Sequence, residues 1–156
     1  MQEVLERPSR ECRPPPARGP SRVRDRSRRG GRGSGEAASV LLVEHSQELR
    51  AQLMRVLEGA GILVTALGDG DTAIAWLDDS PEPDLVILDW QLPQPVGGAL
   101  IDWIREDERW DDVPVIALLH DLDGVAVVDA LACGVDACVI SPFDPAWLVE
   151  VVARYL

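Results

Sequence analysis

From Ser39 onward, apolar positions sort into short unbroken runs alternating with longer stretches of helical period. The runs cover 40–43, 62–67, 85–88, 113–119 and Ala137–Ile140, all rich in Val, Leu and Ile. Continuous apolar runs of this length read as strands buried on both faces. Between them, Leu49, Leu53, Val56 and Leu57 recur at helical spacing behind Ser46, a good N-cap, and Gly61 falls at the expected helix end. A turn at Gly68-Asp69-Gly70 leads to a helix through Ala73, Ile74 and Leu77, which Pro81 and Pro83 break. Later helices carry Leu100, Ile101, Trp103 and Ile104, then 124–132, then 145–155 with Pro145 in its first turn.

Strand and helix thus alternate five times. That pattern predicts an α/β protein, a three-layer doubly wound (βα)5 sandwich around a five-stranded parallel sheet. In such folds the working site lies at the carboxyl ends of the strands. Those ends carry Glu44-His45, Asp89, Leu119-His120 and Ser141. Two carboxylates, Glu44 and Asp89, with loop carbonyls nearby suit a hard divalent cation. A carboxylate beside a metal can act as a nucleophile toward a phosphoryl group. The competing reading is a pair of solvated acids.

Composition divides the chain in two. Residues 1–38 are Arg, Pro, Gly and Ser with few apolar positions, too few to offset ordering entropy, so a disordered tail is expected there and one domain over 39–156. The tail holds ten Arg against five acids, which leaves −17 on residues 39–156 of a chain at −12. So acidic a body repels phosphates, which confines nucleic-acid contact to an arm formed by the tail. Cys12, Cys133 and Cys138 form no disulfide framework. Neither a membrane-length apolar run nor a signal sequence is visible, and a cytoplasmic location is expected. No G-x-G-x-x-G or G-x-x-x-x-G-K-[ST] loop follows the first strand, so a binding module is expected rather than a nucleotide-dependent enzyme.

Several segments carry a resemblance. Pro83-Asp84-Leu85-Val86-Ile87-Leu88-Asp89-Trp90-Gln91-Leu92-Pro93, the glycine at Gly97, Pro114-Val115-Ile116-Ala117-Leu118, Ala132-Cys133-Gly134-Val135-Asp136-Ala137 and Ser141-Pro142-Phe143-Asp144 follow one another in order. In order and spacing the region from Val40 to the end resembles the receiver domain of two-component response regulators, with the flavodoxin-like fold of the chemotaxis regulator. The resemblance implies that Asp89 is the phosphoacceptor for a histidine kinase. It implies that Glu44, His45, Asp89 and the backbone carbonyl of Gln91 surround a Mg²⁺ site, and that Ser141-Pro142 takes the place of a cis Lys–Pro bond. It also implies that partners or a second copy dock on the face of the fourth helix, fifth strand and fifth helix.

The sequence departs from that family at the residues that matter. His45 replaces an acidic metal ligand, and imidazole is a poor ligand for Mg²⁺. Leu119 replaces the switch hydroxyl, Ser141 the lysine, and Cys138 the aromatic rotamer switch; the chain contains no lysine at all. The expectation is a stand-alone, atypical receiver with weakened Mg²⁺ binding that works through protein–protein interaction. Two alternatives stay open: a functional phosphoacceptor at Asp89, and a nucleic-acid-associated protein acting through the Arg tail. His45 and His120 with Glu44 and Asp89 would suit Zn²⁺ chemically, but each imidazole is read as facing solvent. Trp76, Trp103 and Trp147 are expected to pack on the sheet, and Trp110, in a polar loop, to be partly exposed. Val125, Val127, Val128 and Leu131 make the fourth helix apolar around its circumference, so some should face outward.

Overall fold

The computed structural model describes residues 2, 4–6, 35–93, 97–120 and 124–156. Its strands are β1 (Val4–Glu6), β2 (Ser39–Val43), β3 (Leu63–Leu67), β4 (Leu85–Asp89), β5 (Val115–Leu119) and β6 (Ala137–Ile140). Its helices are α1 (Gln47–Gly59), α2 (Gly70–Asp79), α3 (Gly97–Glu106), α4 (Gly124–Cys133) and α5 (Pro145–Ala153). The sheet order is β1-β6-β5-β4-β2-β3, with β2 to β6 parallel. The chain therefore winds one way from β2 to β3 and the other way from β4 to β6. The order reverses between β2 and β4, which is where ligands sit in doubly wound folds.

Side-chain alternation along each strand builds two cores, one per sheet face. Val40, Leu42, Leu85, Ile87, Ile116, Leu118, Ala137 and Val139 pack against Leu53 and Leu57 of α1 and Leu148, Val151 and Val152 of α5. Leu41, Val43, Val86, Leu88, Val115, Ala117, Leu119, Cys138 and Ile140 pack against α2, α3 and α4 through Ala73, Leu77, Leu100, Ile101, Ile104, Val127 and Ala130. Both faces being covered explains why every central strand reads apolar throughout. The predicted caps are in place. The Ser46 hydroxyl accepts from the Leu49 amide at 3.3 Å, and Gly61 and Gly134 take positive φ just beyond α1 and α4.

Two expectations need correction. The sheet has six strands rather than five, because Val4–Glu6 pairs antiparallel with β6, Leu5 opposite Cys138. Residues 4–6 are thus ordered, contrary to the disorder expected over 1–38; residues 7–34 of that stretch, Cys12 included, lie outside the described residues. A three-residue strand suffices because it closes the free edge of β6 and seats Leu5 and Val4 on the two cores. Trp110 is fully buried rather than partly exposed. It ends a short 3₁₀ turn, Glu108–Trp110, where Arg109 stacks on its ring at 5.4 Å. Of the apolar positions on α4, Val127 is buried whereas Val125 and Val128 are 67% and 65% exposed, as the circumferential pattern required.

Candidate functional site

The register of the sheet assembles the site. Val43 pairs with Leu88, so the next residues, Glu44 and Asp89, come side by side at the switch between β2 and β4. Asp89 in turn pairs with Leu118, which brings His120, just past the end of β5, to its other side. Glu44 and Asp89 are both fully buried, the described polar residues that are so deeply placed.

Asp89 is contacted from several directions. The His45 Nδ1 makes a short contact with Asp89 Oδ2, and the His45 amide lies 3.5 Å from the same oxygen. The Gln91 amide donates to Asp89 Oδ1 at 2.9 Å, and His120 Nε2 lies 3.3 Å from that oxygen. Glu44 Oε1 accepts from the Ser46 amide at 2.8 Å and lies 3.5 Å from His45 Nδ1. Glu44 Oε2 and His120 Nε2 are buried without a hydrogen-bond partner. The two imidazole rings meet edge to face, with centroids 6.2 Å apart. His45 is half exposed and His120 is about a quarter exposed, yet both aim a ring nitrogen inward at Asp89. The reading of each as simply solvent-facing is corrected accordingly.

Electrostatics follow from burial and from the paired acids. Burial pushes the Glu44 carboxyl above the usual range; the Asp89 charge adds to this, while the Ser46 amide opposes it. His45 is raised chiefly by its hydrogen bond to Asp89, which favours the imidazolium. Arg50 approaches the backbone instead of the acids, donating to the Glu44 carbonyl at 2.7 Å and so holding the turn after β2. Gly68 makes room for it, since a Cβ there would meet the guanidinium at 3.0 Å. Gly97 does the same for the turn after β4: a Cβ would fall 2.7 Å from the Trp90 carbonyl oxygen, next door to Asp89.

The remaining predicted positions lie around this cluster. Leu119 is buried in the core under α2, α3 and α4, so its apolar side chain replaces a hydroxyl with packing. Ser141 is half-buried; its amide donates to the Leu119 carbonyl at 2.7 Å, and the Ser141–Pro142 bond is cis. Cys138 is buried within the same core, where burial pushes its thiol up to about 11. Gln91 enters the site through its backbone amide. His120, which the sequence offered as a metal-ligand candidate but which was read as facing solvent, joins the cluster, one residue past a strand end.

Glu44, His45, Asp89 and His120 place one donor atom each within 4.8 Å of one another. Mg²⁺ takes oxygen ligands in a near-octahedral set and dehydrates reluctantly. Two of these four donors are imidazole nitrogens, which leaves Glu44 and Asp89 as the carboxylate ligands and makes the cluster a weak Mg²⁺ site.

The family model for the response regulator receiver domain matches residues 40–153. The phosphate regulon transcriptional regulatory protein PhoB of Escherichia coli is 33% identical over 113 residues, which cover 72% of this chain and 49% of PhoB. The DNA-binding response regulator MtrA of Mycolicibacterium smegmatis is 36% identical over 110 residues, 70% of this chain and 46% of MtrA. The chain thus spans about half the length of these curated relatives. The chemotaxis response regulator CheY4 of Vibrio cholerae superposes with a TM-score of 0.73 at 25% identity, over 78% of this chain and all of CheY4. A signal receiver domain of a histidine kinase from Syntrophus aciditrophicus gives 0.71 at 32% identity, over 77% of this chain and 90% of that one. Receiver domains bind Mg²⁺ at their acidic pocket and interact with histidine kinases and other signalling proteins. With the matched region, the sheet order and the buried carboxylate at the switch point all in agreement, this chain belongs to the response regulator receiver domain family.

Proposed function

We propose that the chain is an atypical receiver, a cytoplasmic module of two-component signalling that acts by binding a kinase or another signalling protein and not by turnover. The observation that carries this reading is the state of Asp89. One carboxylate oxygen is taken up by the His45 ring and the other by the Gln91 amide. A phosphoryl group on Asp89 would meet no lysine, because the chain has none, and no hydroxyl at Leu119. Phosphoryl transfer depends on such positive charge and preplaced donors. Mg²⁺ binding is weakened for the same reason that half of the donor set is nitrogen. The binding surface is the face of α4, β6 and α5. Val125 and Val128 stand exposed there, while β1 covers the edge of β6 and so steers any partner, or a second copy, onto the helix face.

Intact-mass measurement after incubation with acetyl phosphate and Mg²⁺, beside Asp89→Asn, tests the reading. The expected result is no acid-stable, base-labile phosphoryl adduct on folded protein. An adduct on the parent that the variant lacks would overturn the proposal and make Asp89 a working phosphoacceptor.

A further inference from the structure

The pocket holds two buried carboxylates side by side, and among the described residues their ion-pair partners are His45 and His120. Arg50, the nearby arginine, is committed to backbone carbonyls. Two buried acids with a buried oxygen of Glu44 left unpartnered call for a cation. The chemistry of the donors says which kind. Imidazole with carboxylate suits Zn²⁺ and neighbouring first-row metals.

From these observations we infer that Glu44, His45, Asp89 and His120 form a transition-metal site, of the Zn²⁺ class, in place of the Mg²⁺ site of the family. Ligand distances near 2.0–2.1 Å in a tetrahedron put the donor atoms about 3.3 Å apart. The separations already present are 3.3 Å for His120 Nε2 to Asp89 Oδ1 and 3.5 Å for His45 Nδ1 to Glu44 Oε1. The His45–Asp89 contact is closer than this and would have to lengthen to admit a metal. Glu44 Oε2, which no hydrogen bond satisfies, and His120 Nε2, which meets Asp89 Oδ1 at 3.3 Å without a hydrogen bond, both belong to the proposed ligands. Two carboxylates and two neutral imidazoles balance one dication, which removes the repulsion between Glu44 and Asp89. Bound metal ties the ends of β2, β4 and β5 together and occupies the carboxylate that a phosphoryl group would need.

This inference rests on the proposed reading that Mg²⁺-assisted phosphorylation has been lost, and different measurements decide the two. The chelator-stripped 156-residue chain is titrated with Co²⁺ and followed by visible absorption. One equivalent should give the intense d–d bands of a four-coordinate N/O site, without sulfur charge-transfer bands. Equimolar Zn²⁺ should abolish them, and a thousand-fold excess of Mg²⁺ should not. His45→Ala and His120→Ala should each weaken Co²⁺ binding by more than about 100-fold, beyond the 10–100-fold typical of groups that only orient ligands. In the parent protein, ring-nitrogen NMR signals of both histidines should shift on adding Zn²⁺, at Nδ1 for His45 and Nε2 for His120. Absent d–d bands, bands that Mg²⁺ removes, bands that survive both substitutions, or unmoved histidine signals would each overturn the metal site. A phosphoryl adduct formed with Mg²⁺ would instead overturn the reading on which it rests.

Discussion

Asp89 gives one carboxylate oxygen to an imidazole and the other to a backbone amide, and His45, Leu119 and Ser141 stand where the resembled family has an acid, a hydroxyl and a lysine. The exchanges are separable. Restoring them together as His45→Asp, Leu119→Thr and Ser141→Lys returns an oxygen ligand, a hydroxyl and a positive charge. Preplaced donors of this kind are worth about 100-fold or more apiece in rate. The triple variant is therefore expected to form the acetyl-phosphate adduct that the proposed reading denies the parent, checked by intact mass on protein with unchanged far-UV CD. Failure of the folded triple variant to label would show that the pocket is blocked by something other than these three positions. At this scale the sequence was largely readable. Asp89, Glu44 and the replaced positions sit inside recognisable strings at strand ends. His120 was legible as a candidate ligand at a strand end, but its turn inward to Asp89 was not, because that approach depends on the register between β4 and β5, which no local pattern encodes. Trp110 defeats the local pattern: Glu108, Asp111 and Asp112 flank it in sequence, yet its ring belongs to the core on the α2, α3 and α4 side of the sheet.

The elements from β2 to α5 follow from period and punctuation, since each strand is mostly apolar and α1, α2, α4 and α5 open or close on a cap or a glycine. β1 had no such signal. Three residues ahead of an Arg- and Pro-rich stretch show no period, and their partner β6 lies at the far end of the chain. Its docking leaves a mark on Tyr155, the one tyrosine in the chain. Burial first, then the charge of Glu6 and a hydrogen bond to it, push the Tyr155 phenol up to about 12. The folded value stands above the ordinary 10.0, so the neutral phenol is the form the fold favours. Its contribution to stability is complete below pH about 10 and is lost as the pH rises through about 12. Glu6→Gln removes the charge and should bring the Tyr155 titration down toward its ordinary value. Ultraviolet tyrosinate absorption reads this directly with no second tyrosine to confuse it. An unchanged titration in Glu6→Gln would mean that β1 is not held against β6 in solution.

Across the whole molecule, the pocket and the main polar tie of the fold occupy opposite ends of the sheet. The pocket gathers the carboxyl ends of β2, β4 and β5; the tie gathers the segments that precede β5 and β6. Arg105 of α3 is nearly buried, and its guanidinium donates to the carbonyls of Trp110 at 2.7 Å, Val113 at 3.0 Å and Gly134 at 3.2 Å. It also pairs with Asp136 at 3.1 Å, and the same carboxylate oxygen accepts from the Val115 amide at 2.8 Å. One side chain thereby joins α3, the turn after α4 and the start of β5. Removing it takes one donor from each of three carbonyls and the ion pair from the largely buried Asp136, which keeps the Val115 amide, and breaking a largely buried pair in this way costs about 3–5 kcal/mol. Arg105→Met, which keeps the apolar stem, is expected to lower stability by that amount in urea unfolding followed by far-UV CD. Because the tie lies at the other end of the strands, the Co²⁺ spectrum of the folded variant should match the parent's. A lost spectrum in a variant that remains folded would show that the geometry of the pocket depends on the far end of the sheet, and that the two ends act as one unit.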